Sequence, residues 1–264
     1  MPIAASKPTG TLPRVVSPHL LWLGGCLPVE YRGETVYGHF SIYLVIGSEK
    51  TMLIDTGHPG HWPEVSKALK ETLGDRKLDY IFPTHSEFPH AGLLPQLMEL
   101  YPDALCVGDM RDWHLYYPEL TDRMRHAEVG DYVDLGDRRI CFVPAVWRDI
   151  PNTLWAFEDT DRVLFVSDSF AYLHYHHPGE SDYFTSEIPL PEIGMIQFFN
   201  ERALQWTRFT DVQTTFGDAD YLLETLDPRL IAPAHGGIID NPEVLTPHVK
   251  EGMTVEQIAA PAGA

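Results

Sequence analysis

Two histidines and a glutamate are packed into one short stretch of this chain, Thr84-His85-Ser86-Glu87-Phe88-Pro89-His90-Ala91-Gly92. Imidazole nitrogens and a carboxylate oxygen are donors for iron, manganese or zinc, so the chemistry they suggest is metal-assisted. The spacing has a geometric reason. In extended backbone, side chains two residues apart point to the same side, which puts His85 beside Glu87. His90 stands at the entrance of an expected helix, from where a second imidazole can face them. Each residue alone reads as solvated surface; together, behind an apolar strand, they read as a metal site.

The elements around that stretch must hold it still. Leu78-Asp79-Tyr80-Ile81-Phe82 reads as a buried strand ended by Pro83, and Ala91 to Leu100 as a helix. Ser41 to Ile46 and Thr51 to Asp55 form two buried strands joined at Gly47 to Lys50, and the second runs into Asp55-Thr56-Gly57-His58. An Asp at such a strand end can bridge turn amides and a metal-bound ligand. His58 and His61 lie within reach of the same crevice, although histidines in a loop before a helix are ordinarily solvated. The helix from Pro63 to Leu73 follows, with Val65, Ala68, Leu69 and Leu73 on one face.

From Asp131 the pattern is β again, over Tyr132–Leu135, Arg139–Val143, Thr153–Phe157 and Arg162–Val166. Asp149 precedes the third of these strands, Ser167-Asp168 closes the fourth, and a last strand, Leu230 to Ala234, delivers His235. Tyr172 to His177 opens a polar loop reaching Glu187. Helices are predicted at Pro191–Arg208 and Asp211–Leu226. Leu20 to Leu23 is a short strand punctuated by Gly24-Gly25, and Val29 to His39 is a hairpin or flap. Asp109 to Arg125 is aromatic-rich, either an amphipathic helix on the core or a pocket wall. Metal-capable side chains at the ends of strand after strand are the signal.

Composition bounds the reading. The 264 residues are 44% hydrophobic and 22% charged, which describes a globular chain with a real core. A formal net charge of −19 disfavours nucleic acid and anionic membranes as partners, since both require basic residues against phosphate. No apolar run is long enough to span a bilayer, and Met1 to Gly10 lacks the apolar stretch of a secretory signal, so a cytoplasmic location is expected. Cys26, Cys106 and Cys141 are too widely spaced for a zinc ribbon or a disulfide framework.

The Asp55-Thr56-Gly57, Thr84-His85-Ser86-Glu87, Ser167-Asp168 and Ala234-His235-Gly236 segments resemble the metallo-β-lactamase fold. That resemblance implies an α/β chain, an αββα four-layer sandwich, with one domain over 1–264 flanked by an arm (1–18) and a tail (242–264). Glu87, where most of that superfamily carries a second histidine, resembles more narrowly the diiron domain of flavodiiron proteins, whose motif is His-x-Glu-x-Asp-His. Asp149-Ile150-Pro151-Asn152-Thr153-Leu154 through Val163–Asp168 is similar without gaps to the family segment that runs from a ligand His to a bridging Asp.

The resemblance implies two metal ions, iron favoured, with manganese or zinc as alternatives. One would be held by His85, Glu87, Asp149 and bridging Asp168, the other by His90, His235 and Asp168, with Asp55, His58 and Thr84 behind them. Two positions depart from the pattern. Pro89 replaces a ligating Asp, and Asp149 replaces a ligand His. His174, His176 or His177 could supply a substitute, and His174 is a candidate catalytic group. Trp113, Tyr116, Trp147, Trp155, Phe198 and Phe199 could line an apolar or aryl pocket. The implied activity is reduction or activation of dioxygen or a related small oxidant, with a separate electron donor, no flavin on this chain, and a homodimer as in relatives. A metal-dependent ester, ether or lactone hydrolase and an oxygen or nitric oxide sensor stay open beside it.

Overall fold

One long hairpin sets the frame. In the computed structural model, which describes residues 5–176 and 180–254, β2 (Leu20–Tyr31) and β3 (Glu34–Ile46) pair antiparallel in unbroken register from Leu20↔Val45 to Tyr31↔Glu34. Arg32 and Gly33 both take positive φ, the backbone twist that a two-residue hairpin turn needs. Gly24 and Gly25 do not end the strand as expected; they let it pass close to its neighbours. A Cβ on Gly24, at φ +106, would fall 2.0 Å from the Phe40 carbonyl oxygen, and one on Gly25 would fall 2.8 Å from the His61 ring.

This hairpin sits in a seven-stranded sheet ordered β1 (Arg14–Ser17), β2, β3, β4 (Thr51–Ile54), β5 (Tyr80–Phe82), β6 (Leu105–Gly108) and β7 (Met124–His126). A second sheet of five strands runs β12 (Leu230–Ala232), β11 (Val163–Phe165), β10 (Trp155–Glu158), β9 (Arg139–Val143) and β8 (Tyr132–Asp134). The period-two alternation predicts which residues meet between them. Tyr43, Val45, Met52, Ile54 and Phe82 pack against Ile140, Phe142, Ala156 and Phe165 in the inter-sheet core. Each such large side chain, fully withdrawn from water, stabilises the fold by about 1.5–3 kcal/mol.

The alternate residues face helices. Ile42, Leu44, Leu53 and Ile81 pack under α1 (Trp62–Leu73) and α3 (Leu94–Leu100). Leu164, Val166 and Ile231 pack under α5 (Ile193–Ala203), α6 (Phe216–Leu226) and α7 (Pro242–Met253). The result is the αββα sandwich that the motifs implied. Two terminal expectations need correction. Arg14–Ser17 is a strand rather than part of a loose arm, held by pairing with β2. Pro242–Met253 is a helix whose Leu245, Val249 and Met253 are core, so the chain there is packed and not a tail. The aromatic segment predicted at Asp109–Arg125 is broken into one helical turn, α4 (Trp113–Tyr116), a 3-10 stretch and β7. No described helix is long and apolar enough to cross a membrane.

Candidate metal centre

The parallel strands β4 and β5, and β11 and β12, all end at one edge of the sandwich, and the metal-capable residues follow them. Asp55 comes directly after β4 and Ser167 shortly after β11, and both hold positive φ (+59 and +54) without being glycine. Such backbone costs about 1–3 kcal/mol per residue and persists only where its surroundings enforce it. Here the enforcement is visible. The Asp55 N–H donates to the Phe82 carbonyl (2.9 Å), and the Ser167 carbonyl accepts from the Ala234 N–H (2.8 Å).

His90 lies in the single turn α2 (Phe88–Ala91), with its imidazole between two aspartates. Nδ1 is 3.0 Å from Asp55 Oδ2, and Nε2 is 2.8 Å from Asp168 Oδ1. The other Asp55 oxygen accepts from the Thr84 N–H (2.8 Å) and hydroxyl (2.9 Å). Because the Thr84 hydroxyl donates to Asp55, it accepts from Ser167 Oγ at 2.9 Å. Ser167 Oγ is then free to accept from His85 Nδ1, also at 2.9 Å. One relay thus directs the Nδ1 protons of both histidines into the protein and turns both Nε2 atoms toward the crevice. His235 is oriented the same way, its Nδ1 donating to the His39 carbonyl at 2.6 Å while Nε2 lies 3.2 Å from Asp168 Oδ1.

Asp149 comes from the loop before β10. Thr153 Oγ1 donates to its Oδ1 (2.7 Å), and its Oδ2 lies 3.2 Å from His85 Nε2. The two sheets are tied across the crevice by the Leu154 N–H, which donates to the Thr84 carbonyl (2.9 Å). Glu87, the N-cap residue of α2, joins from the solvent side: His85, Glu87, Asp149 and Asp168 each bring a donor atom within 4.8 Å of the others, as do His85, His90 and Asp168.

Whether the site suits metal ions is a question its polar atoms answer. His85 Nε2, His90 Nε2, Asp149 Oδ2 and Asp168 Oδ1 are buried, close together, and aligned for no hydrogen bond. They face one another in two close pairs, His85 with Asp149 and His90 with Asp168, without hydrogen-bond alignment, and cations between them would engage all four. Charge agrees: Asp55, Glu87, Asp149 and Asp168 are four carboxylates at one site, which two divalent ions would neutralise. Burial, with His90 alongside, lowers His85 to about 4, so that ring is neutral with a free lone pair at pH 7. Burial and the neighbouring Asp149 and Asp168 carboxylates raise Glu87. Burial would also lower His90, but Asp55 and Asp168 on its two sides outweigh that and raise it. Burial opposes the Asp168 charge, yet His90 and His235 hold that carboxyl well below its ordinary range.

The fit also explains Pro89. It occupies the first turn of α2, where its missing N–H has no intrahelical partner to lose and its fixed φ suits the helix. The residue stabilises the turn that carries His90 rather than adding a donor.

Several expected residues are elsewhere. His58 caps the turn after it, accepting from the Gly60 N–H at 3.0 Å, with its ring against Phe40, His61 and Phe88; no contact among the described residues places it behind the donors. His174 is not with the donors either: it stacks on His39 at 4.5 Å. His176 stacks on Tyr37, and His177 lies outside the described residues. The aromatic pocket is also displaced. Trp113 is core beneath the first sheet, Tyr116 is exposed, and Trp147 and Trp155 are core beneath the second. Phe198 packs edge-on against Tyr31. The rings that do reach the site are Phe199, 4.9 Å from His235, and Phe40, 5.1 Å from it. Phe40 carries no signal in the sequence, because a single aromatic in an apolar strand looks like core. A cavity of about 1140 Å³ elsewhere has Arg14, Glu187, Asp220 and Lys250 in its wall and none of the six donors.

The description that matches this sequence is the metallo-beta-lactamase superfamily, over residues 38–188. A coenzyme F420H(2) oxidase of Methanothermobacter marburgensis is 29% identical over 225 residues, covering 81% of this chain and 54% of that protein. A nitric oxide reductase of Moorella thermoacetica is 31% identical over 143 residues, 53% of this chain and 35% of that protein. This chain therefore spans about half or less of the length of these relatives. Among solved structures, the flavodiiron protein of Giardia intestinalis superposes with a TM-score of 0.72 at 17% identity, over 93% of this chain and 59% of that one.

Proposed function

From the premise that the chain belongs to the metallo-β-lactamase superfamily, we propose that it is a two-metal oxidoreductase of the flavodiiron kind, reducing or activating dioxygen or nitric oxide. The observation that carries this reading is the donor set around His85. One imidazole and the three carboxylates of Glu87, Asp149 and Asp168 make a hard, oxygen-rich site that suits iron or manganese better than zinc. His85, Glu87, Asp149 and Asp168 would hold one ion, and His90, His235 and Asp168 the other. When bound, an iron pair would supply the redox equivalents and a place for a diatomic substrate. The relatives whose names are an oxidase and a nitric oxide reductase favour this over hydrolysis.

The residues of this chain do the rest. The Asp55–Thr84–Ser167 relay keeps His85 and His90 in the tautomers that face the ions. Glu87 alone of the six donors lies on the exposed side, so protons and small molecules reach the centre past it. Phe40 and Phe199 against His235 form an apolar flank that favours a diatomic gas over a charged substrate. Electrons would come from a separate donor. The test is metal identity and stoichiometry per chain, with optical spectra of the protein reduced anaerobically and then exposed to dioxygen or nitric oxide. Two irons with oxidant-dependent bands are expected; two zinc ions with no response to either oxidant would overturn the reading.

A further inference from the structure

A second group of donors lies one strand away, outside the two-metal centre. Cys26 on β2 sits directly opposite His39 on β3 in the hairpin register. His174 is brought to them by an isolated antiparallel bridge to Tyr37, its N–H and carbonyl paired with Tyr37 at 3.1 and 2.8 Å. One donor atom from each of Cys26, His39 and His174 lies within 4.8 Å of the others. The two rings stack at 4.5 Å and 21°, and only 2% of His39 and 7% of His174 is exposed.

Two stacked core histidines would be unremarkable if their nitrogens were satisfied, but they are not. His39 Nε2 donates to the Ser181 carbonyl at 2.8 Å, which fixes that tautomer and leaves Nδ1 with a lone pair. That Nδ1 is buried without a hydrogen-bond partner among the described residues, and so is Nδ1 of His174. Leaving two such atoms orphaned beside a half-buried thiol costs free energy that a shared cation would recover. The His39 arrangement, one nitrogen anchored to a carbonyl and the other left with an unused lone pair, is the usual second-sphere pattern of a metal-bound imidazole.

We propose that Cys26, His39 and His174 form a separate mononuclear site for a zinc-class ion. One thiolate and two imidazoles are a softer set than the carboxylate-rich centre, so the two sites select different metals. The His176 ring lies 4.9 Å from that of His174, next to the three donors. The ion would pin the segment carrying His174 to the hairpin. It would also steady the His39 backbone, whose carbonyl orients His235 in the neighbouring centre. Uptake replaces the thiol proton, so it releases acid.

The test uses cobalt(II) as probe on metal-depleted protein, because a thiolate ligand gives cobalt an intense charge-transfer band that carboxylate and imidazole do not. The band is expected in the wild type, bleached by zinc, and absent in Cys26→Ser. Zinc is also expected to slow alkylation of Cys26 at least tenfold, read by peptide mass spectrometry with the half-buried Cys141 as internal reference. Should Cys26→Ser fail to fold, His174→Ala serves in its place, with cobalt affinity expected to fall at least tenfold. A wild type without the band, a band that survives in Cys26→Ser, or alkylation of Cys26 indifferent to zinc would overturn the proposal. None of these readouts depends on oxidant chemistry, so failure here is distinguishable from failure of the proposed activity.

Discussion

Asp55 and Asp168 face opposite edges of the same imidazole at nearly the same distance, 3.0 and 2.8 Å from the two nitrogens of His90, yet they are set up for different tasks. Asp55 is saturated: one oxygen takes two hydrogen bonds from Thr84 and the other takes the His90 Nδ1 proton. Asp168 Oδ1 has no aligned hydrogen bond and is approached by His90 and His235 together. A saturated carboxylate can only orient; an unsaturated one between two imidazoles is available to a cation. What separates an orienting aspartate from a metal-facing one is the state of its remaining lone pairs, not its distance from the histidine.

Glu187 provides a third case, a carboxylate whose cation comes from the protein itself. Buried Arg14 grips it through two nitrogens, at 2.6 and 2.9 Å. Asp168 and Asp149 meet only imidazoles, and no arginine or lysine makes an ion pair with them or with Glu87 among the described residues.

The comparison can be broken in stages. Asp168→Ala should have the largest effect, reducing bound metal from two ions to less than one per chain and abolishing oxidant reduction; metal analysis that still finds two ions would make Asp168 no more than another orienting group. Asp149→Ala is expected to remove one ion and leave one, read by the same stoichiometry, and an unchanged count would remove Asp149 from the ligand set. Asp55→Asn keeps the shape but presents an amide to His90 Nδ1. A loss of about 10–100-fold in metal affinity or activity is expected, with stoichiometry restored at saturating metal.

Arg14→Met should leave metal content intact while destabilising the fold by about 3 kcal/mol at neutral pH, measured by chemical denaturation. Its pH dependence has a defined sign. Burial opposes the Glu187 charge, but Arg14 and the Phe184 N–H outweigh it and hold the carboxyl below its ordinary 4.5. Above that value the stabilisation is complete; as pH falls through the lower folded-state value it is lost, so wild type and variant should converge in acid. Thr84→Val should be the mildest change, about 1–2 kcal/mol of stability from one buried hydroxyl, with metal binding weakened less than by Asp55→Asn. An equal loss in both would place the orienting role in Thr84 rather than Asp55.

Much of the site is legible in the amino-acid sequence because its signals are local. His85, Glu87 and His90 are close along the chain, and the period-two strands before Asp55 and Asp168 identify both as strand-end groups. The long-range partners are legible only through the family resemblance. Nothing in the sequence near Ser167 announces that its hydroxyl bridges Thr84 to His85, since that contact joins residues more than eighty positions apart. The expected aromatic pocket fails for a related reason. Residue type alone suggests Trp113, Trp147 and Trp155 as pocket walls, whereas a large aromatic in an αββα sandwich has two helix layers to disappear into.

The alternating strands and the kinds of donor at their ends follow from the chain's own order of residues, because alternation and strand-end chemistry are properties of near neighbours; the αββα layering is implied only by the family resemblance. Three things depend on the folded molecule instead: which aspartate is hydrogen-bonded on both oxygens and which keeps one without an aligned bond, why Pro89 costs the α2 turn nothing, and that His174 lies with Cys26 and His39. The first and third are set by which lone pairs remain unfilled after the chain has closed on itself, and hydrogen bonds between distant strands, which no short stretch of sequence encodes, do the filling.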